Sequence, residues 1–232
     1  MNVVDLLILA IVTITVISGM YRGFVSSLLS TADFFLSWAV AYIFYPGIAS
    51  GILHNTSFME TLYYYTDAAS KLGTGVARTP IAAVTRDMID GAIRAISLPA
   101  PFDELLSSNI LSNAFSGLET VGDYVNQTIV SVTVNVLCFL LVFAACYIVI
   151  NLLINLFNYV FKFKELRHGD ALAGGALGLV RGYFIVFLLF TLVPILLTAL
   201  PIQAISDYIN ASMLGAYFMN SNFITFIIKA VM

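Results

Sequence analysis

Four apolar runs govern what this chain can fold into. Residues 3–20, 25–48, 128–150 and 183–200 are each close to the roughly 20 helical residues needed to cross a hydrocarbon core of about 30 Å. Hydrocarbon offers no partner for a backbone N–H or C=O, so a run of this length is read as a helix. Pro194 lies inside the last run and predicts a kink there. Composition agrees: 60% hydrophobic residues, 10% charged residues and a mean hydropathy of +0.97 lie outside the range of ordinary soluble domains. The expected fold is an all-α membrane protein with four transmembrane helices as two hairpins, plus amphipathic interfacial helices in the middle segment and C-terminal tail.

The boundaries follow from the runs. Residues 1–50 form the first hairpin, 51–127 an extracytoplasmic segment of short amphipathic helices, 128–201 the second hairpin with a cytoplasmic helical extension over 151–182, and 202–232 an amphipathic tail. The N-terminus lacks a basic segment and a small-residue cleavage site and carries Asp5, so it is read as a retained span. Arg22 lies in the first hairpin's connection, while Lys162, Lys164, Arg167 and Arg181 lie in the second. The middle segment holds four basic residues against eight acidic ones. Basic loops stay in the cytoplasm, so both hairpin tips face inward and the two termini face outward.

In the middle segment, Thr79 before Pro80 predicts a helix start. Ile81, Val84, Met88, Ala92, Ile93 and Ile96 then share one face, with Arg86, Asp90 and Arg94 on another and Pro99 and Pro101 beyond its end. A second amphipathic stretch covers 102–115, and the tail is expected to put Ile205, Tyr208, Ile209, Met213 and Tyr217 on one face.

One short pattern occurs twice. Gly19, Arg22, Gly23 and Phe24 align without a gap on Gly178, Arg181, Gly182 and Tyr183. Arg22 stands where the chain must reverse, so its counterpart Arg181 is read first as an interfacial anchor, because a charge at mid-bilayer costs several kcal/mol. The alternative starts the fourth span near Ala171 and carries Arg181 inward to the depth of Asp33, where the two could pair. Ser30, Ser37 or water could satisfy Asp33 instead. Gly174, Gly178 and Gly182 recur at every fourth position, as do Gly19 and Gly23, leaving helix faces that another backbone can approach closely. Their expected partner is the helix before them, whose polar stripe of Asn151, Asn155, Asn158, Lys162 and Glu165 is either a solvated face or a line of polar groups along a permeation path.

Metal-protease, hydrolase-nucleophile and phosphate-loop motifs are all missing from the sequence. His54 and His168 fall on opposite sides of the predicted membrane and cannot share a metal. Cys138 and Cys146 lie about 12 Å apart on one helix and read as small buried hydrophobes. No catalytic residue, cofactor or metal site is expected. The scattered charges and net charge of -3 give no footprint for nucleic acid.

Two blocks resemble a known family. Asp5 followed by "GMYRGFVSSLLS" at 19–30, and "GDALAGGALGLVRGYF" at 169–184 leading into the last span, resemble the colicin V production protein (CvpA) family of bacterial inner-membrane proteins. The resemblance implies four spans, a link to toxin production or export and to envelope maintenance, and no enzymatic activity. The middle segment is longer than in the shorter members, and Asp33 is not a hallmark of the family. The function expected first is a non-enzymatic scaffold or accessory factor whose partners are the bilayer and a membrane or envelope protein, with self-association through the glycine faces left open. The second is a small channel or transporter with a polar path through Asp33, Arg181 and the asparagines.

Overall fold

The computed structural model describes residues 2–66, 72, 74–96, 102–112, 117–161, 169–199 and 203–220. Lys162, Lys164, Glu165, Arg167, His168, Pro99, Pro101, Phe115 and the tail from 221 onward lie outside the described residues. So do the side chains of Arg86, Ala92, Ile96, Ile205 and residues 157–161, Asn158 among them. The described residues are helical almost throughout: α1 Val3–Leu53, α2 Thr56–Thr66, α3 Thr74–Ala77, α4 Arg86–Ile96, α5 Phe102–Leu111, α6 Val121–Phe161, α7 Gly169–Phe190, α8 Val193–Ala199, α9 Gln203–Asn210 and α10 Met213–Asn220. Three stretches are long and apolar enough to cross a membrane, namely Val3–Leu53, Val121–Leu156 and Asp170–Leu197.

At 1.5 Å per residue, 51 residues would extend about 77 Å, more than twice a hydrocarbon core. One residue divides α1. Gly23 has φ 77° and ψ 176°, outside the helical region, and separates an arm over residues 3–22 from an arm over 24–53. The Ser27 hydroxyl donates to the Gly19 carbonyl at 2.9 Å although the two are eight residues apart, a separation of about 12 Å in a straight helix. The chain therefore doubles back within a turn.

Contacts along α7 fix the direction of each arm. Gly174 lies against Gly19, Gly178 against Thr15 and Val16, and Gly182 against Val12, so the first arm runs antiparallel to α7. The Asp170 carboxylate accepts from the Phe24 amide and the Phe184 ring meets Phe35 at 4.9 Å, so the second arm runs the same way as α7. The second arm also packs on α6 in the opposite sense. Phe139 meets Tyr45 at 5.9 Å, Phe143 meets Phe34 at 5.2 Å, and Asn151 reaches Asp33. Edge-to-face rings are the favoured aromatic arrangement, and they fill this seam.

Three sequence expectations change here. The helix expected from Pro80 begins at Arg86, because the Ile81 amide donates to Glu119 O and the Val121 amide to Thr79 O, holding residues 79–81 in a bridge beside α6. In α4 itself Ile93 of the expected face packs against the core, but Met88 is exposed and Ile89, outside that face, is buried. Over its described residues, 203–220, the tail is two helices rather than one stripe. Ser212 caps α10 through the Gly215 amide and resets the phase, leaving Met213 86% exposed while Ile209 and Phe218 turn inward.

One further difference and one agreement concern the second half. α7 starts at Gly169 and runs through Tyr183 without a break, so residues 169–182 belong to the same rod as the last apolar run. The interruption falls at Thr191–Leu192, ahead of Pro194, which has no N–H to give to Phe190. The expected kink and the break coincide. The N-terminal third of α6 is clad by the middle segment: Asn109 of α5 donates to Thr128 at 3.1 Å, Tyr63 of α2 donates to Gln127, and Ala77 of α3 lies against Gly122. Burial, and then the Asp123 carboxylate, push the Tyr63 phenol up and keep it a donor.

Candidate functional site

The polar groups of the bundle fall into three sets. At the end where the chain starts, Asn2 and Asp5 form a capping box on α1. Asp5, only 5% exposed, does more than cap. Its Oδ1 accepts from the Ser212 hydroxyl at 2.6 Å and the Leu214 amide at 3.0 Å, while its Oδ2 accepts from the Asn2 amide at 2.9 Å. The Asn2 side chain donates to the Tyr208 carbonyl. One carboxylate thus joins the start of α1 to the cap of α10. Phe218 of α10 then packs against Tyr183, Phe187 and Phe190 of α7, and Tyr217 hydrogen-bonds Tyr183 at 2.8 Å.

At the opposite end the turn at Gly23 is held by Asp170, the second residue of α7. Its carboxylate takes the amide of Phe24, the first residue of the second arm, where a helix leaves its N–H groups unpaired. Between these ends the glycine faces bring two backbones together. A Cβ at Gly19 would lie 3.2 Å from Gly178 Cα, one at Gly174 2.9 Å from the Gly23 carbonyl carbon, and one at Gly182 3.3 Å from Val12 Cα. Gly19, Gly23, Gly174, Gly178 and Gly182 therefore gather on one interface. The partner of Gly174, Gly178 and Gly182 is the first arm of α1 with its turn at Gly23, not the polar-striped helix preceding α7.

The third set is internal. Asp33, 1% exposed, accepts from the Ser37 hydroxyl at 3.2 Å and from Asn151 at 3.2 Å, and Asn155 donates to Asn151 at 2.8 Å. Arg22 reaches Ser30 at 3.4 Å. Arg181 is 7% exposed, about 18 Å into α7 by helical rise, and buried in the bundle. Tyr147, Arg22 and Asp33 act on it electrostatically, yet among the described residues no carboxylate lies within 4 Å of it. Asp33 and Arg181 are thus neighbours and not an ion pair. The helix that carries Arg181 begins at Gly169, and Ser37 is one of the partners named for Asp33.

Sequence reasoning passed over the clamping roles of Asp170 and Ser212. Both carried a signal: an acid in the first turn of a helix, and a serine three residues before a glycine after a break in periodicity. What it could not supply was the distant group that each would meet.

An all-helical bundle with three stretches able to cross a bilayer, and with Asp5 and Asp33 buried inside it, defines an integral membrane protein. The family model described as colicin V production protein matches residues 4–108 and 111–228, nearly the whole chain. The chain belongs to that family. Nothing among curated proteins and nothing among solved structures matches it.

Proposed function

We propose that the chain crosses the bacterial inner membrane four times as two hairpins, with both termini outside, and serves as a non-enzymatic scaffold or accessory factor in colicin V type toxin production or export, or in envelope maintenance. The observation that carries this reading is where the polar chemistry is used. Asp5 and Asp170 bind the chain's own backbone, and the glycines seat one backbone on another. Such groups hold a bundle in one shape. The opposite sense of the two α1 arms along α7 supports two crossings by that helix, and the net basic turns support an inward orientation of the tips. The outer helices α2–α5 and α9–α10 are the surface offered to an envelope partner.

The test uses purified full-length chain in liposomes together with cross-linking in the membrane. The scaffold reading expects no solute flux and one reproducible cross-linked envelope protein that is lost when residues on α4 or α5 are changed. A second reading has its own observation, the line of hydrogen bonds from Asp33 through Asn151 to exposed Asn155 beside Arg181. A small channel or transporter would show a flux that Asp33→Asn abolishes while the protein stays folded.

A further inference from the structure

The acid in the seam between the second arm of α1 and α6 has unlike surroundings in its two directions. Asp33 stands ten residues beyond Gly23, about 15 Å from the turn by helical rise, and is 1% exposed. Its Oδ1 accepts from the Ser37 hydroxyl and its Oδ2 from the Asn151 amide, each at 3.2 Å, and Asn155 donates to Asn151 at 2.8 Å. The two helices are antiparallel, so Asn155 lies one turn nearer the Gly23 end, and it is exposed. Beyond Ser37 the seam is aromatic. Phe139 meets Trp38 at 6.4 Å, Tyr45 at 5.9 Å and Phe143 at 6.4 Å, and Phe143 meets Phe34 at 5.2 Å. Polar groups therefore lead to Asp33 from the turn, and rings close the seam on its other side.

We propose that Asp33 is a proton-binding site that exchanges with water on the Gly23 side alone, by way of Asn151 and Asn155. An ionised carboxylate taken out of water is costly, and the two donors bonded to it, a hydroxyl and an amide, are both neutral. Uptake moves one proton from a hydronium ion to a carboxylate oxygen, leaving a water and a neutral acid; nothing is oxidised or reduced. The neutral acid gains an O–H donor where the carboxylate only accepted. Among the described residues the charged and titratable groups around it are Arg181 of α7, whose charge acts on it, Tyr147 of α6, whose ring lies 6.5 Å from that of Phe34, and Arg22, bonded to Ser30 one turn nearer Gly23. The inference rests on the polar line of the second, transport reading and deepens it by naming the proton as the species handled.

The test uses the full-length protein in nanodiscs, with infrared spectra of the carboxyl stretch recorded across the pH range in which the protein stays folded. Wild type should show a protonated-carboxyl band that grows as pH falls and fades as it rises, and Asp33→Asn should lose that band. Asn151→Leu removes one donor to the carboxylate and should move the band's midpoint to higher pH. After a jump into heavy water, the rate at which the band shifts reports proton exchange. Asn155→Leu should slow that exchange about tenfold, the effect of one lost hydrogen bond. Ser50→Ala, at an exposed position near the far end of the second arm, should exchange as wild type. Should Asp33→Asn not fold, the midpoint shift in Asn151→Leu assigns the band. A band that never appears, or that persists at every pH, overturns the proposal. So does a band that survives Asp33→Asn, or an exchange rate that Asn155→Leu leaves unchanged. Flux in liposomes is read separately: a titrating band without proton flux keeps the site and removes the transport reading, whereas solute flux without a titrating band removes the site and keeps that reading.

Discussion

At the scale of single residues, the fold depends on a few positions where a side chain cannot be added or an acceptor cannot be removed. Gly23 has φ 77° and ψ 176°, a region kept almost wholly to glycine that costs an L-residue about 1–3 kcal/mol, and a Cβ there would also run into the Asp170 carboxylate. Gly47 is the matched control, a helical glycine on the second arm with open space around its Cβ. Gly23→Ala should lower the Tm in detergent, whereas Gly47→Ala should leave it unchanged or raise it by the equivalent of up to about 1 kcal/mol. Equal effects at the two positions would remove the turn from this account. Asp5 carries the other clamp. Asp5→Ala leaves the Ser212 hydroxyl and Leu214 amide without their acceptor, so limited proteolysis should cut within 203–220 faster than in wild type, with Ser212→Ala intermediate.

At the scale of elements, α5 is fastened to α6 by one buried polar pair. Asn109 and Thr128 are 8% and 1% exposed and bond at 3.1 Å. Asn109→Ala should cost about 1–3 kcal/mol, because it strands a buried hydroxyl, and adding Thr128→Val should recover part of that loss. Thermal unfolding of the single and double variants reads this directly; a double variant as unstable as the sum of the two singles would show that the pair is not coupled. The elements also show what the sequence could convey. Apolar length announced the long helices, and the glycine spacing announced a close-packed face. Phase was harder to read. The start of α4 is set by pairing with Glu119–Val121, the phase of α10 by a cap that meets Asp5, and the glycines' partner by a reversal at Gly23. Each of these depends on a residue far along the chain, which periodicity within a window cannot register.

At the scale of the whole molecule, the two ends of the bundle are closed by different devices. Asp5 ties the start of α1 to the tail, and Asp170 ties the start of α7 to the turn of α1, with the glycine interface running between them. The internal polar set of Arg22, Asp33, Asn151 and Arg181 lies between those clamps. The sequence pointed to these residues individually, through a repeated pattern and an isolated acid. It could not decide how they pair, because helix rotation and the offset between helices settle whether Arg181 meets Asp33 or only stands near it.

The central claim is that α1 crosses the membrane, turns at Gly23 and returns, so that this turn and the middle segment lie on opposite sides. With Cys138 and Cys146 replaced by alanine, single cysteines at exposed positions Tyr21, Ser112 and Asn210 would be challenged in intact cells with a thiol reagent that passes the outer membrane but not the inner. The account predicts labelling at 112 and 210 in intact cells, and at 21 only after the inner membrane is permeabilised. Labelling of 21 and 112 from the same side would mean that the two arms of α1 do not both span, and would contradict it.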